Sequence, residues 1–345
     1  MPLKLTKMRF INTVLIASTL VLISCGGGDN TPAATTPGVP ELSTAVISNQ
    51  ALVLDSTTSP KTAREIINLF SNVGDIPTTP GTVKITAADI SNPASRQSIT
   101  KITKNLFTVI QNNNVNGISV IRATLSCTNG GTRTIPDNIP TALPVNLNGT
   151  YTVSFNNCKE GTATINGSIT FTGSLIVDNA GAATSINAQF TFNNFTISDI
   201  GSNDSINGDF TIVMGTVAGV STFSFSGTSL SLRDELGATD IKNFNVTYTS
   251  NINIETFDIN FTISSTFIDG VITVATPIQF ETTIGKEYPY QGQMMVTGAN
   301  NANFRLTVNT PSAGGGIATD TVTLDIDADG VNGYETSQTL MWSEL

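Results

Sequence analysis

The feature that most limits what this chain can become is a strict two-residue alternation between Thr162 and Asp178. Ala163, Ile165, Gly167, Ile169, Phe171, Gly173, Leu175 and Val177 share one parity, and Thr164, Asn166, Ser168, Thr170, Thr172 and Ser174 take the other. A period of two sends successive side chains to opposite faces, so this is a strand with one face buried and one wetted. The pattern returns in Ile186, Ala188, Phe190 and Phe192, in Ile206, Phe210, Ile212 and Met214, and in Phe223 and Phe225. It continues in Phe244, Val246 and Tyr248, in Phe257, Ile259, Phe261 and Ile263, and in Ile272, Val274, Ile278 and Phe280. Strands of a parallel sheet, buried on both faces, would be continuously apolar, so the expectation is an antiparallel sheet organised around Gly149 to Glu281.

The rhythm slips at Asn193 and Asn194 and again near Gly227, and these slips are taken as bulges that re-aim the side chains. Asn148-Gly149, Asp178 to Gly181, Asp269-Gly270 and Asn332-Gly333 mark turns, because these residues tolerate the backbone angles of tight reversals. Asn166-Gly167 and Asn207-Gly208 lie inside parity runs and are expected to be kinks. Beyond Tyr288 the alternation goes on through Met294, Val296, Phe304, Leu306, Val308, Val322, Leu324 and Ile326, with Leu340 and Trp342 on a last strand.

Only 12% of the 345 residues are charged, so the wetted face must be made of hydroxyl and amide side chains. Histidine is absent, which removes the commonest acid/base catalyst and the commonest metal ligand together. A net charge of −10 without a basic stripe argues against nucleic acid as a partner, because binding phosphate needs clustered Lys and Arg.

Lys4, Lys7 and Arg9 precede an apolar run from Phe10 to Ile23, too short to span a bilayer comfortably and suited to an export signal. Leu22, Ile23, Ser24 and Cys25 at its end resemble the lipobox of bacterial lipoproteins. That resemblance implies removal of residues 1–24, acylation of Cys25 with palmitate among the chains, and a mature net charge of −13 after loss of the three basic residues. Gly26 stands where Asp would resemble an inner-membrane retention signal, so the resemblance implies the bacterial outer membrane, on its periplasmic or surface face. Residues 25–40, rich in Gly, Thr, Ala and Pro, are expected to form a flexible tether, and residues 41–345 one β-rich domain.

Two amphipathic helices are expected ahead of the strands, near 60–73 and 93–111. Ser59 and Pro60 would open the first, with Ala63, Ile66, Ile67 and Phe70 on its apolar face. Asn92 and Pro93 would open the second, with the stripe Ile99, Ile102, Leu106, Val109 and Ile110. Both need a sheet to lie on. The expected architecture is therefore mainly β: a large antiparallel sheet curled into a barrel-like or sandwich form, with two N-terminal helices packed on it.

Export carries the chain into an oxidising compartment, so Cys127 and Cys158 are expected to form a disulfide. Without histidine neither has the partner a catalytic thiol needs. Asp325, Asp327 and Asp329 before Gly330, with Glu335 beyond, place alternate carboxylates ahead of a turn and resemble the start of a calcium loop, although Thr336 stands where an EF-hand carries its last acid. The same residues also fit the wetted parity of a strand ending in an Asp-Gly hairpin. Ser98 to Lys101 spells S-x-x-K, as in serine β-lactamases, but neither S-D-N nor K-T-G accompanies it.

Three functions follow as expectations. The first is a non-catalytic β scaffold or binding module at the cell envelope. The second is a carrier of an apolar ligand such as a lipid, and the third a glycan hydrolase built on two carboxylates, which leave no spacing signal.

Overall fold

A computed structural model describes residues 41–70, 123–136, 145–177, 183–199, 202–284, 286, 288–309, 320–331 and 333–345. The described residues fall within one unit, Pro37–Leu345. Its sheet opens with two short strands, β1 (Ala123–Ser126) and β2 (Thr132–Ile135). Long strands follow: β3 (Val145–Glu160), β4 (Ala163–Val177), β5 (Ala183–Asp199) and β6 (Ser202–Val217). Next come β7 (Val220–Arg233), β8 (Ala238–Ser250), β9 (Ile254–Ser265) and β10 (Gly270–Thr283). Four shorter strands complete it: β11 (Gln291–Thr297), β12 (Asn303–Val308), β13 (Thr321–Asp327) and β14 (Thr336–Met341).

All fourteen belong to one antiparallel sheet whose spatial order is the chain order. The alternation predicts this, since sequence neighbours with matching parity pair without loss of burial. Closure is the part that fails. β1 pairs only with β2 and β14 only with β13, so the sheet is neither closed as a barrel nor split into the two sheets of a sandwich. At the rims, strands of four and six residues replace the twelve to seventeen of the middle.

The apolar parity packs as expected. Phe190, Phe210, Val246, Phe304, Leu306 and Leu324 are completely buried, and one contiguous cluster joins Tyr151 on β3 to Ile326 on β13. Across β3 to β8 the rings of Tyr151, Phe171, Phe190, Phe210, Phe225 and Phe244 stand in line, neighbours 4.9 to 5.9 Å apart. Such tilted and edge contacts contribute beyond area burial.

A diagonal crease of bulges crosses the same strands. Asn157 on β3, Gly167 on β4, Asn194 on β5, Gly208 on β6 and Asn243 on β8 all have positive φ, and the ladder register shifts beside each bulged Asn. The motif repeats: Asn157 N–H donates to Asn166 Oδ1 (2.7 Å) and Asn194 N–H to Asn207 Oδ1 (3.2 Å). In each case an Asn-Gly pair on the next strand receives the bulge, which accounts for the kinks foreseen at Gly167 and Gly208. At Gly167, φ is +89° and a Cβ would lie 2.2 Å from the Asn194 carbonyl oxygen. Gly167→Ala is therefore expected to destabilise the fold by about 1–3 kcal/mol, from αL strain and the clash together. Urea unfolding checks this; an unchanged midpoint would mean the crease relaxes freely.

Several expectations need correction. Asn148-Gly149 is not a turn but lies inside β3, with Gly149 opposite Gly173. Ile278 is 49% exposed rather than buried. Pro277 has no N–H for the ladder, the β9–β10 register breaks between Ile272 and Phe280, and the Thr276 hydroxyl accepts the Ile259 N–H instead (3.1 Å). Trp342 lies beyond β14 in a single 3₁₀ turn, its ring stacked on Tyr288.

Among the described residues there is one α-helix, α1 (Thr58–Phe70); the helix expected near 93–111 lies outside them, as do residues 71–73. Ala63 and Ile66 of α1 join the core. Its cap is not Ser59 but Asp55, whose Oδ1 accepts the N–H groups of Thr57 and Thr58 (both 2.8 Å). Those bonds hold the Asp55 carboxyl below its ordinary pKa. The segment before the helix is a strap over the turns at one end of the sheet. Ser43 N–H bonds Asp234 O (2.7 Å), Leu52 N–H bonds Val271 O (3.0 Å), and Leu52 O accepts Ala299 N–H (2.7 Å). Gly298 leaves room for it, since a Cβ there would sit 2.2 Å from Leu52 O.

Candidate functional site

Of the residues singled out by sequence, two pairs of partners come together. Cys127, just after β1, and Cys158, near the end of β3, form a disulfide with Cα atoms 5.3 Å apart. It sits in a braced corner. Lys159 N–H donates to Gly130 O (2.8 Å), Thr128 donates to Glu160, and Arg133 pairs with Glu160 (3.2 Å). This corner fastens the short β1–β2 hairpin to the first long strand and offers no free nucleophile.

The C-terminal acids divide. Asp325 points to the outer face of β13, where it pairs with Arg305 at 2.8 Å and accepts the Ser337 hydroxyl at 2.8 Å. The Arg305 guanidinium in turn lies 4.4 Å over the Tyr334 ring, a cation–π contact. Asp327 and Asp329 gather instead with Glu335, one carboxylate oxygen from each lying within 4.8 Å of the others. Each of these three also holds the turn between β13 and β14. Asp327 Oδ1 accepts Gly330 N–H (2.7 Å), Asp329 Oδ1 accepts Val331 N–H (2.8 Å), and Glu335 Oε2 accepts Ala328 N–H (3.0 Å). Asp327 Oδ2 takes a further bond from the Asn303 amide (3.1 Å). The calcium set read from sequence as Asp325, Asp327 and Asp329 is thus rearranged: Asp325 leaves and Glu335 enters. Asp325 and Asp327 share the outward parity of β13, but Asp327 ends the strand, where its carboxylate is taken into the β13–β14 turn, and that turn brings Glu335 back.

Titration is perturbed elsewhere. Burial, and then a hydrogen bond with Glu255, push the Tyr248 hydroxyl up to about 12. The Glu281 carboxylate bonded to Tyr290 raises that hydroxyl too, and burial raises Glu65 on α1. Ser98 to Lys101, Cys25 and the rest of residues 1–40 lie outside the described residues.

What remains is the wetted face itself, which is continuous across the long strands. Hydroxyls meet across strand pairs at Thr150 and Thr172 (3.2 Å), Thr152 and Thr170 (2.9 Å), and Thr262 and Thr273 (3.3 Å). Asp209, in the middle of this face, accepts from Gln189 (3.4 Å) and Thr228 (3.2 Å). Such cross-strand pairs support the sheet, and they leave a surface of donors and acceptors in fixed rows, with few charges among them. Sequence reasoning foresaw its composition but not its pairing, because pairing depends on register across strands.

No helix among the described residues is long and apolar enough to cross a membrane. Comparison with protein families, curated proteins and solved structures returns no match for this chain.

Proposed function

We propose that this chain is a lipid-anchored protein of the bacterial outer membrane, held through Cys25, whose sheet is a non-catalytic scaffold presenting a hydroxyl- and amide-rich face for binding. The observation that carries the reading is the division of labour on the sheet. The outward hydroxyls and amides form ordered rows, while the acids that chemistry would need are tied into turns and ion pairs: Asp325 to Arg305, and Asp327, Asp329 and Glu335 to backbone amides. The diagonal crease curls the sheet over its aromatic face, because bulges bend and twist the strands that carry them. The anchor rests on Leu22 to Cys25, and residues 25–40 give the folded unit its distance from the bilayer.

A carrier of an apolar ligand is the second reading, favoured by the same Phe-rich inner side. One preparation tests both. Cells fed alkyne palmitate should label the chain, and Cys25→Ala should abolish the label; equal labelling of the two proteins would refute the anchor. Native mass spectrometry of the mature chain is expected to show bare protein mass, whereas a co-purified lipid would move the assignment to the carrier.

A further inference from the structure

An open meander ends in two strands, and here they differ. β1 is four residues long and braced by the disulfide corner, whereas β14 runs for six. Trp342 N–H donates to Asp320 O (2.9 Å), which extends the β13–β14 register Thr321↔Met341, Val322↔Leu340. Hydrogen-bonded pairs alternate along an antiparallel ladder, so Thr336, Gln338 and Leu340 bond to β13 while Ser337, Thr339 and Met341 turn N–H and C=O outward. Met341 agrees, its N–H donating to the Glu344 carboxylate (2.7 Å) and not to β13. Ser337 and Thr339 therefore supply the outward N–H groups of this edge, both on exposed residues, with no backbone partner among the described residues. From Thr336 to Met341 there is no charge, no Pro, no Gly and no register shift. Within β14 itself, the charges, prolines and bulges that usually blunt an edge strand are missing.

We propose that β14 is a self-pairing edge, at which a second copy of this chain adds its own β14 antiparallel about a two-fold axis passing beside Gln338. In that register Ser337 of each copy lies opposite Thr339 of the other. Every outward N–H of Ser337 and Thr339 then meets a carbonyl, and the inward row of one copy continues the inward row of the next. Any antiparallel strand matches this donor spacing; a second copy is favoured because its β14 brings the same length, the same uncharged residues and the same inward row to the seam. An isologous contact also closes on itself instead of growing into fibres. β14 carries no charge, and the acids flanking it are held within their own copy, Glu335 by the Ala328 N–H and Glu344 by the Met341 N–H. One short strand pair buries less than the roughly 1,000 Å² of a stable interface, so association in solution is weak. On a membrane, anchoring through Cys25 would raise the effective concentration; the edge pairing itself does not depend on that anchor.

The register makes a sharp test, because Gln338 is the residue that meets itself, at a non-hydrogen-bonded position where side chains are closest. In the mature chain carrying Cys25→Ala, Gln338→Cys is expected to give a disulfide-linked dimer on a non-reducing gel under mild oxidation. Thr336→Cys, opposite Leu340 of the second copy, should cross-link about tenfold less or not at all. Sedimentation equilibrium of the Cys25→Ala chain should show concentration-dependent dimer, weakened about tenfold by Thr339→Lys with the melting temperature unchanged. A monomer at every concentration, equal cross-linking at 336 and 338, or a dimer indifferent to Thr339→Lys would each overturn the proposal.

Discussion

Phe210→Ala should lower the free energy of unfolding by about 3–5 kcal/mol, the largest single-residue effect expected in this protein. Phe210 is completely buried and lies at the centre of the aromatic line, with ring centroids 5.3 Å from Phe190, 5.4 Å from Phe192 and 4.9 Å from Phe225. Truncation removes the transfer free energy of the ring, opens a cavity and cancels three ring contacts, each of which contributes about 0.5–1.5 kcal/mol beyond burial. The neighbours cannot collapse into the gap, because each is fixed to its own strand by the ladder. Phe210→Leu should cost less, since most of the volume survives while the ring contacts go. On the opposite face Thr211→Ala should stay within about 0.5 kcal/mol. Urea unfolding of the three variants gives the order; a small loss for Phe210→Ala would show that the aromatic line is not the centre of the cooperative core.

Removing the disulfide is the second large effect. Cys127 and Cys158 are separated by 31 residues, and the chain-entropy model gives about 3.7 kcal/mol for closing a loop of that size. The double variant Cys127→Ala, Cys158→Ala should therefore melt roughly 5–7 °C lower for a domain of this length. The loss has a place as well as a size. The bridge ties the β1–β2 hairpin to β3, and that hairpin's strands have only four residues each to hold them. Hydrogen exchange should accelerate first at Thr132 to Ile135, ahead of the long strands. Uniform acceleration across the sheet would mean the hairpin is held by packing and not by the bridge. Both sulfurs are nearly inaccessible, so added reductant should act on the folded protein far more slowly than the substitution suggests.

The face of each strand was readable from the sequence because nothing competes with the alternation: outward positions are Thr, Ser and Asn, and inward ones are aromatic or aliphatic. Even the creases at Gly167 and Gly208 show locally, since an Asn-Gly pair inside a parity run has no turn to make. Long-range facts were less accessible. Gly149 looks like a reversal until Gly173 is placed beside it on β4, and Ile278 looks inward until Pro277 is seen to break the ladder with β9. Asp55 outranks Ser59 as helix cap because the strap fixes where α1 begins, and the strap is held by Val271 and Ala299, more than two hundred residues later in the chain. The acidic turn was legible as carboxylates, but not as the set that converges, because Glu335 returns only when β14 pairs with β13. Whether the rims meet is a property of the whole sheet and has no local signature.

The identity of strand order with chain order has a consequence for how the molecule is made. A polypeptide made from its N-terminus emerges one hairpin at a time, and each new strand here finds its neighbour already waiting, with little loop entropy to overcome. Growth can proceed at the moving edge without any wait for distant partners. The strap around Ser43 to Leu54 is the exception: it precedes every strand, yet its docking sites on Asp234, Val271 and Ala299 belong to turns in the second half of the chain. The strap must therefore wait for partners that the hairpins around it never need.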